Sequence, residues 1–415
     1  MEDIAPKIDT SQYGNQKGTS TEHLLVNLMD KILQLLDNNN NCSAVIASLV
    51  DWSSAFDRQD PTLAIQKFIQ MGVRPALIPI LASYLTDRQM QVRYNNIYSS
   101  THKLPGGGPQ GTLVGLIEYF IQSNDNADCV DADMRYKYVD DLTVLELVML
   151  ASLLSEYNFK QHVASDIGID EMYVSANNLK TQENLNSISD WTTQNLMKLN
   201  EQKCNYMVFS RSETEVATRL SLNGNTLDRI EEIKLVGVWI TTWLDWEKNT
   251  REICKKAYAR LTMLTKLKYA GVLREDLITI YILYIRSLLE YCSVVWHSTL
   301  TDEMSHNLER VQKVCLKVIL GEEYEGYSSA LEKCGLETLS TRREGRCLQY
   351  GLKSLLHPVH SKKFPVNPHI LNNIHDTRNS EHFRVNWAKS DSYRMSAIPY
   401  IQRQLNDYVR KQKNK

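Results

Sequence analysis

Two adjacent aspartates, Asp140 and Asp141, interrupt an apolar run that would otherwise form a core strand. The run is YKYVDDLTVL, residues 136–145, and its tyrosines, valines and leucines suit a strand that folds into a core. A carboxylate buried without a partner is costly unless it is paired or binds a metal ion. Taken alone, the pair also fits a turn, or helix-capping aspartates beside a core strand.

A third carboxylate, Asp51, ends a second apolar strand with the sequence VIASLVDW. Two strands that end in acidic residues can lie side by side and direct three carboxylates at one point. Such a cluster repels itself unless a hard cation neutralises it, and Mg²⁺ prefers carboxylate oxygens. A pair of Mg²⁺ ions activates an attacking hydroxyl and stabilises a leaving phosphate, so the pattern indicates nucleotidyl transfer.

The order of further motifs resembles that of the reverse transcriptases of non-long-terminal-repeat retrotransposons. LVDWSSAFDR, GGGPQGT and YVDD resemble the first three palm motifs of that family, and LNEQKCNYMVFSR and KLVGVWI resemble the fourth and fifth. QYGNQKGTSTEHLL resembles the helix that leads out of the fingers, and SYLTDRQMQV and LLEYCSVVWHS also fit. These matches occur in the family's order over residues 10–320.

The resemblance implies a metal site and a proton donor. Asp51, Asp140, Asp141 and the backbone carbonyl of Trp52 would bind two Mg²⁺ ions, for which Mn²⁺ could substitute. Lys203 matches the lysine that protonates the departing pyrophosphate, although an exposed lysine is commonly only solvated.

The same resemblance implies residues that contact the nucleotide and the template. Phe56 would lie under the sugar and exclude a ribose 2′-hydroxyl; the alternative is a core aromatic residue. Pro109, Gln110 and Gly111 belong to the glycine-rich loop, where Gln110 would bond near the nucleotide or is a turn residue. Asp57 is expected to cap or brace the next helix.

A basic stretch, residues 245–274, is expected to contact phosphates. It contains eight lysines and arginines against three acidic residues, within a chain whose formal net charge is −2. We expect Lys248, Lys255, Lys256 and Arg260 to bind nucleic acid, and an ordinary solvated helix face is the alternative.

The mixture of strands and helices predicts an α+β fold. By resemblance it is a right-hand polymerase palm, an antiparallel sheet with helices, joined to partial fingers and a helical thumb. The expected divisions are partial fingers at 1–43, a palm at 44–244, a thumb at 245–340 and an extension of unassigned role at 341–415.

Two functions remain open from the sequence. The first is an RNA-directed DNA polymerase that uses an RNA template, a DNA primer and deoxynucleoside triphosphates. The second is an impaired retroelement remnant that at most binds nucleic acid, because no match is found to the upstream fingers segment that holds the triphosphate. From an N-terminal truncation of this kind we expect primer-template binding with poor extension and a high nucleotide requirement. A viral RNA-dependent RNA polymerase is disfavoured by Phe56 and by Val139.

Other features bear on location. Eight scattered cysteines form no C-x-x-C pair, which is typical of reduced intracellular thiols. The N-terminus lacks the basic and apolar regions of a signal peptide. The apolar stretch 277–296 is interrupted by Arg286 and Glu290, so we interpret it as a buried amphipathic helix and expect no membrane partner. The expected location is the cytoplasm, the nucleus or both.

Overall fold

The computed structural model describes residues 5–38, 43–149, 173–174, 180–211, 217–371 and 381–413. These residues form two compact units, the first built from 1–20 and 41–230, the second from 21–40 and 231–415. The four-part division expected from the sequence is finer than these two units and stays a prediction.

The first unit is organised around a five-stranded sheet. Its strands are β1 (Ser43–Val50), β6 (Arg135–Tyr138), β7 (Asp141–Met149), β9 (Asn205–Ser210) and β13 (Asp228–Arg229). The strand order is β13-β9-β1-β7-β6, and all neighbours are antiparallel except β13 and β9. The described part of the unit also contains the short strands β2 (Gln89–Met90), β3 (Arg93–Tyr94), β4 (Ile97–Tyr98), β5 (His102–Lys103), β8 (Tyr173–Val174), β10 (Ala217–Thr218), β11 (Ser221–Leu222) and β12 (Asn225–Thr226).

Helices pack against this sheet. The α-helices of the first unit are Pro61–Gln70, Ile78–Leu85, Leu113–Gln122 and Lys180–Gln194, of which the last two contribute to the cluster on the sheet. Ile46 of β1 is completely buried in a cluster that includes Tyr119 and Ile188 from two of these helices. Burial of such large side chains contributes about 1.5–3 kcal/mol each, so the cluster holds β1 and β7 against the helices. The predicted α+β fold with an antiparallel sheet is confirmed.

The second unit is mainly helical. Its α-helices are Thr21–Asn38, Glu247–Tyr269, Arg274–Ile280, Ser287–Leu289, Ser293–Trp296, Asp302–Leu320, Tyr327–Cys334, Leu339–Leu355, Pro368–Leu371, Asp391–Arg394 and Ala397–Lys413. A hairpin of β14 (Glu232–Leu235) and β15 (Val238–Thr241) lies just before helix Glu247–Tyr269 in the chain. The long helices Glu247–Tyr269 and Asp302–Leu320 pack together through side chains such as Leu264 and Val311, which are fully buried.

The apolar stretch 277–296 is confirmed as a buried amphipathic segment rather than one straight helix. Helix Arg274–Ile280 continues through a π-helical turn, Tyr281–Arg286, and the chain bends at Cys292, where φ is 49°. Within the described ranges no single helix is long and apolar enough to cross a membrane. The bent pair 274–289 and 293–299 meets that criterion by length and composition.

Several local predictions need correction. Thr19 and Glu22 fit the pattern of a capping box, but helix Thr21–Asn38 begins two residues after Thr19, whose hydroxyl donates to the carbonyls of Tyr13 and Gln16. The sequence IKLVGVWI, residues 233–240, predicts one strand, but Val236 and Gly237 have positive φ and form the turn of a hairpin.

Other local predictions hold in part or lie outside the described residues. The sequence TQENLNSISDWTTQNLMKLN predicts a helix over residues 181–200, but the helix ends at Gln194. The polar segment near 160–178 predicts a long loop, which lies outside the described residues except at 173–174. Asp60 followed by Pro61 predicts the start of a helix, and this cap is confirmed, because the Asp60 carboxylate accepts hydrogen bonds from the amides of Thr62 and Leu63.

Candidate active site

The pairing of β1 with β7 brings the three predicted aspartates together. Val50 lies opposite Leu142, so the antiparallel register places Asp51 beside Asp141 at the end of both strands. Asp140 lies in the tight turn between β6 and β7, in which Tyr138 pairs with Asp141. Two strand ends and one hairpin turn therefore supply the acidic groups, whereas the sequence predicted two strand ends only.

The turn before Asp140 is strained and is held by a residue that sequence reasoning missed. Val139 has a φ of 57°, which is unfavourable for a β-branched side chain. The Gln12 side chain accepts from the Val139 amide at 2.9 Å and donates to its carbonyl at 3.3 Å. A Cβ at Gly14 would lie 2.5 Å from the Val139 nitrogen, so Gly14 allows this close approach. Gln12 thus fixes the backbone that presents Asp140.

A buried ionic cluster supports the same hairpin. Lys137 of β6 lies 2.7 Å from Asp9 and is almost completely buried, and Arg135 contacts the same carboxylate at 3.0 Å. Burial alone would raise the pKa of Asp9, but the charge and hydrogen bond of Lys137 lower it to about 2. The segment around Ser11 also pairs with β6 through Lys137, which donates its amide to the Ser11 carbonyl.

The electrostatics of the three aspartates match a site for a cation. Burial raises the pKa of Asp141 to about 6, with further contributions from the charges of Asp140 and Asp51. The pKa of Asp140 is raised by burial and by Asp51. Lys203 Nζ lies 3.6 Å from Asp51 Oδ2 and its side chain is 71% exposed, so it compensates this negative charge only partly.

The acidic cluster suits Mg²⁺ by its chemistry. Its donors are carboxylate oxygens, and the buried Asp51 Oδ2 has no hydrogen-bond partner among the described residues. As the side chains stand, no three His, Cys, Asp or Glu groups in that part of the chain converge closely enough to hold one ion. The carboxylates would therefore have to turn toward a cation when it binds. Trp52 is buried beside Asp51, and the role expected for its carbonyl stays a prediction.

Phe56 connects the acidic cluster to the glycine-rich loop. Its ring stacks on Tyr119 with a centroid distance of 4.7 Å, and its carbonyl accepts a hydrogen bond from the Gly108 amide. Burial raises the pKa of the Tyr119 hydroxyl, and the nearby charges of Asp140, Asp141 and Asp51 raise it further. Phe56 is half-buried and packs against Tyr119, the residue on which the charges of the aspartates act.

Gln110 and Asp57 form a pair at the surface of the site. Gln110 Nε2 donates to Asp57 Oδ1 at 2.6 Å, and both residues are exposed. The expectation that Asp57 caps or braces the next helix is wrong, because Asp60 caps it and Asp57 contacts Gln110 instead. Gly111 has a φ of 76°, and the Pro109 carbonyl accepts from the Thr112 hydroxyl where helix Leu113–Gln122 begins.

The four basic residues expected to bind nucleic acid differ in their availability. Lys248 lies 2.6 Å from Glu232 and over the Trp239 ring, and Arg260 donates to the Tyr284 carbonyl. Lys255 and Lys256 are exposed. Contacts of these four residues with phosphate stay a prediction. Lys255 and Lys256 form no ion pair with any described residue, so they can contact phosphate without breaking one within that part of the chain.

We expect Asp141→Asn to stabilise the chelator-treated protein. In the folded state the pKa of Asp141 is about 6, above its ordinary value of 3.8, so the folded chain binds the proton more tightly than the unfolded chain does. The stability of the unsubstituted chain should therefore fall as the pH rises from about 4 to about 6. Thermal unfolding should show a higher midpoint for the variant at pH 8 and equal midpoints below pH 4. A lower midpoint at pH 8 would contradict the repulsive cluster.

Comparison with known proteins gives relatives from mobile elements. The chain is 27% identical over 256 residues to a probable RNA-directed DNA polymerase from transposon BS of Drosophila melanogaster, covering 61% of this chain and 26% of the relative. It is 27% identical over 137 residues to the probable RNA-directed DNA polymerase from transposon X-element of the same species, covering 32% of this chain and 15% of the relative. It is 21% identical over 272 residues to the RNA-directed DNA polymerase from mobile element jockey of Drosophila melanogaster, covering 63% of this chain and 27% of the relative.

The chain thus spans about a quarter or less of the length of these curated relatives. No protein-family model matches it. Among solved structures, apo telomerase from Candida tropicalis covers 84% of this chain with a TM-score of 0.38 and 10% identity, the match covering 50% of that chain. Telomerase from the same species with an RNA fragment covers 85%, with a TM-score of 0.37 and 12% identity, the match covering 46% of that chain. These likenesses are too distant to assign function.

These sequence relatives confirm the resemblance inferred from the motifs: the chain is related to the RNA-directed DNA polymerases of transposons and other mobile elements.

Proposed function

We propose that this chain carries the polymerase site of an RNA-directed DNA polymerase. The reaction is transfer of a deoxynucleotide to a primer 3′-hydroxyl, directed by an RNA template, with release of pyrophosphate. The observation that carries the proposal is the register of β1 and β7, which brings Asp51 beside Asp141 and the turn that holds Asp140. The similarity to mobile-element polymerases supports the choice of template and product.

The roles of the residues follow from their positions. Asp51, Asp140 and Asp141 would hold two Mg²⁺ ions, which when bound activate the primer hydroxyl and stabilise the leaving group. Gln12 keeps the Asp140 turn in its strained conformation. Lys203 lies at the mouth of the site, where it can give a proton to the departing pyrophosphate. We further propose that the protein acts inside the cell; the described cysteines are all free thiols.

A second candidate function is binding of nucleic acid without catalysis. It is favoured by the exposed Lys255 and Lys256, which can contact phosphates whether or not the aspartates bind metal. The two functions differ in one measurable property, because only the polymerase extends a primer.

Primer extension by the purified chain separates the two functions. The assay uses a DNA primer on an RNA template, the four deoxynucleotides at millimolar concentration and Mg²⁺. We expect extension products whose sequence is complementary to the template. If the chain binds the primed template stably but adds no nucleotide to the primer, in Mg²⁺ or in Mn²⁺, the result would favour the second function.

We expect Phe56→Val to relax the choice between deoxynucleotides and ribonucleotides. The Phe56 ring is half-buried and is backed by Tyr119, so it can exclude a 2′-hydroxyl by contact. Loss of the ring should raise ribonucleotide incorporation about tenfold or more relative to deoxynucleotide incorporation, in line with differences of about 1–3 kcal/mol for steric discrimination. Competition assays with the two nucleotides measure this ratio. Phe120→Val is the control, because Phe120 lies in the core on helix Leu113–Gln122, which also carries Tyr119. An unchanged ratio for Phe56→Val would make Phe56 a core residue only.

A further inference from the structure

A buried polar cluster lies beneath the glycine-rich loop and outside the acidic site. Glu118, in helix Leu113–Gln122, is completely buried, and Gln59, just before helix Pro61–Gln70, is 1% exposed. Among the described residues neither carboxylate oxygen of Glu118 and neither amide atom of Gln59 has a hydrogen-bond partner. A buried polar group left unpaired lowers the stability of the folded chain, so the burial of these two side chains needs an explanation other than hydrogen bonding.

Gly108 is the point of the loop that both side chains approach. A Cβ at residue 108 would lie 1.9 Å from Gln59 Oε1 and 3.2 Å from Glu118 Oε2. The first distance is far below any real contact, so any side chain at this position would have to displace the glutamine or the loop. Gln59 therefore occupies the space that a side chain at residue 108 would need.

The backbone of the loop rests on the segment that contains Gln59. The Gly107 amide donates to the Gln59 carbonyl at 2.8 Å, and the Gly108 amide donates to the Phe56 carbonyl at 2.7 Å. Arg88 donates to the carbonyls of Gly106 and Gly107 from the other side. Gln110 belongs to this loop and donates to Asp57, so a shift of the loop would also move Gln110 relative to the segment 56–59.

We propose that Gln59, Glu118 and Gly108 are a matched set that positions the glycine-rich loop, and with it Gln110, against the segment 56–59. Gln59 and Glu118 fill the space above helix Leu113–Gln122, and Gly108 lets the loop lie directly on them. They are positioning residues, not catalytic ones, because they are buried and reach the nucleotide only through the loop. This inference rests on the proposed function for its consequence on nucleotide binding, but not for the steric match itself.

A larger side chain at position 108, combined with a smaller one at position 59, tests the steric match between these two positions. Gly108→Val should expose the amides of residues 106–111 to faster hydrogen–deuterium exchange and lower the thermal midpoint of the chain. Adding Gln59→Ala should restore most of the protection and most of the midpoint, because the smaller side chain leaves room for the valine. Gln122→Ala, which removes another buried glutamine of the same unit, is the control second substitution and should restore neither.

Nucleotide dependence of primer extension is the second measurement. Gly108→Val should raise the deoxynucleotide concentration for half-maximal rate about tenfold or more with a smaller change in maximal rate, since small displacements of positioning groups are costly. The Gln59→Ala double variant should return this concentration toward that of the unsubstituted chain.

The two measurements separate the inference from the proposed function. If the unsubstituted chain extends no primer, the proposed function fails, while exchange and thermal unfolding still decide the match. The inference is overturned if Gly108→Val leaves loop protection unchanged, or if Gln59→Ala rescues it no better than Gln122→Ala. It is also overturned if exchange is rescued but the nucleotide requirement of an active chain is unaffected by any of the variants.

Discussion

Replacement of Asp140 by asparagine should reduce primer extension by between about a hundredfold and a thousandfold, or to background. The substitution keeps the shape of the side chain but removes a charge that lies within electrostatic reach of Asp51 and Asp141. The loss should appear in the maximal rate, because the carboxylate acts on the metal rather than on the template. Extension rates at saturating nucleotide measure it.

Asp190→Asn is the matched control for this variant. Asp190 is exposed on helix Lys180–Gln194 of the same unit, and the same chemical change there should leave extension unchanged. Equal rates for Asp140→Asn and Asp190→Asn would remove Asp140 from the catalytic site. Circular dichroism and thermal unfolding of both variants would show that neither change unfolds the chain.

Replacement of Asp9 by alanine should destabilise the first unit by about 3–5 kcal/mol, the usual cost of removing one partner of a buried ion pair. Lys137 would be left almost fully buried without the carboxylate that neutralises it, and Arg135 would keep only its ion pair with the more exposed Asp128. Because β6 carries the turn that presents Asp140, partial unfolding there should also lower activity. Chemical denaturation of the variant measures the loss of stability.

Asp87→Ala is the matched control for Asp9→Ala. Asp87 pairs with Lys103 at 2.8 Å, but both side chains are mainly exposed, and such pairs contribute little to stability. Acid sensitivity gives a second check: the pKa of Asp9 is about 2, below its ordinary value of 3.8, so its contribution is complete above about pH 4 and is lost toward pH 2. Similar destabilisation by the two substitutions would contradict the buried cluster.

The sequence predicted the parts of the site that depend on local pattern. Asp51 follows an apolar strand, and Asp140 and Asp141 interrupt another, so their meeting at one sheet edge required only that the two strands pair. The glycine-rich loop and the helix after it were predicted for the same reason, since GGGPQGT signals a turn and an apolar periodic segment follows.

The missed residues act through contacts between distant parts of the chain. Gln12 and Val139 are 127 residues apart, and no local pattern marks Gln12 as the group that holds the turn. Asp9 resembles any polar residue near a terminus until Lys137 is placed against it. Asp57 was misassigned because an aspartate before a helix usually caps it, whereas Asp60 is three residues closer and takes that role.

Gly108 shows how the role of a glycine can depend on its neighbours. From the sequence alone it is one residue of a glycine-rich turn. In the structure the space beside it is occupied by Gln59 and Glu118, whose polar character is itself unexpected in a core. Gln59 is far from Gly108 and Glu118 in the sequence, so the steric match becomes visible only in the fold.

Titration of Mg²⁺ in the primer-extension assay tests the account most directly. The assay compares the unsubstituted chain with a variant in which Asp51, Asp140 and Asp141 are all asparagine, each after chelator treatment. We predict that template-directed extension by the unsubstituted chain rises from background with added Mg²⁺, and that the triple variant stays at background although it binds the primed RNA equally well. Extension that persists in chelator, or that the triple variant retains, would contradict the assignment of these three carboxylates as the metal-dependent polymerase site.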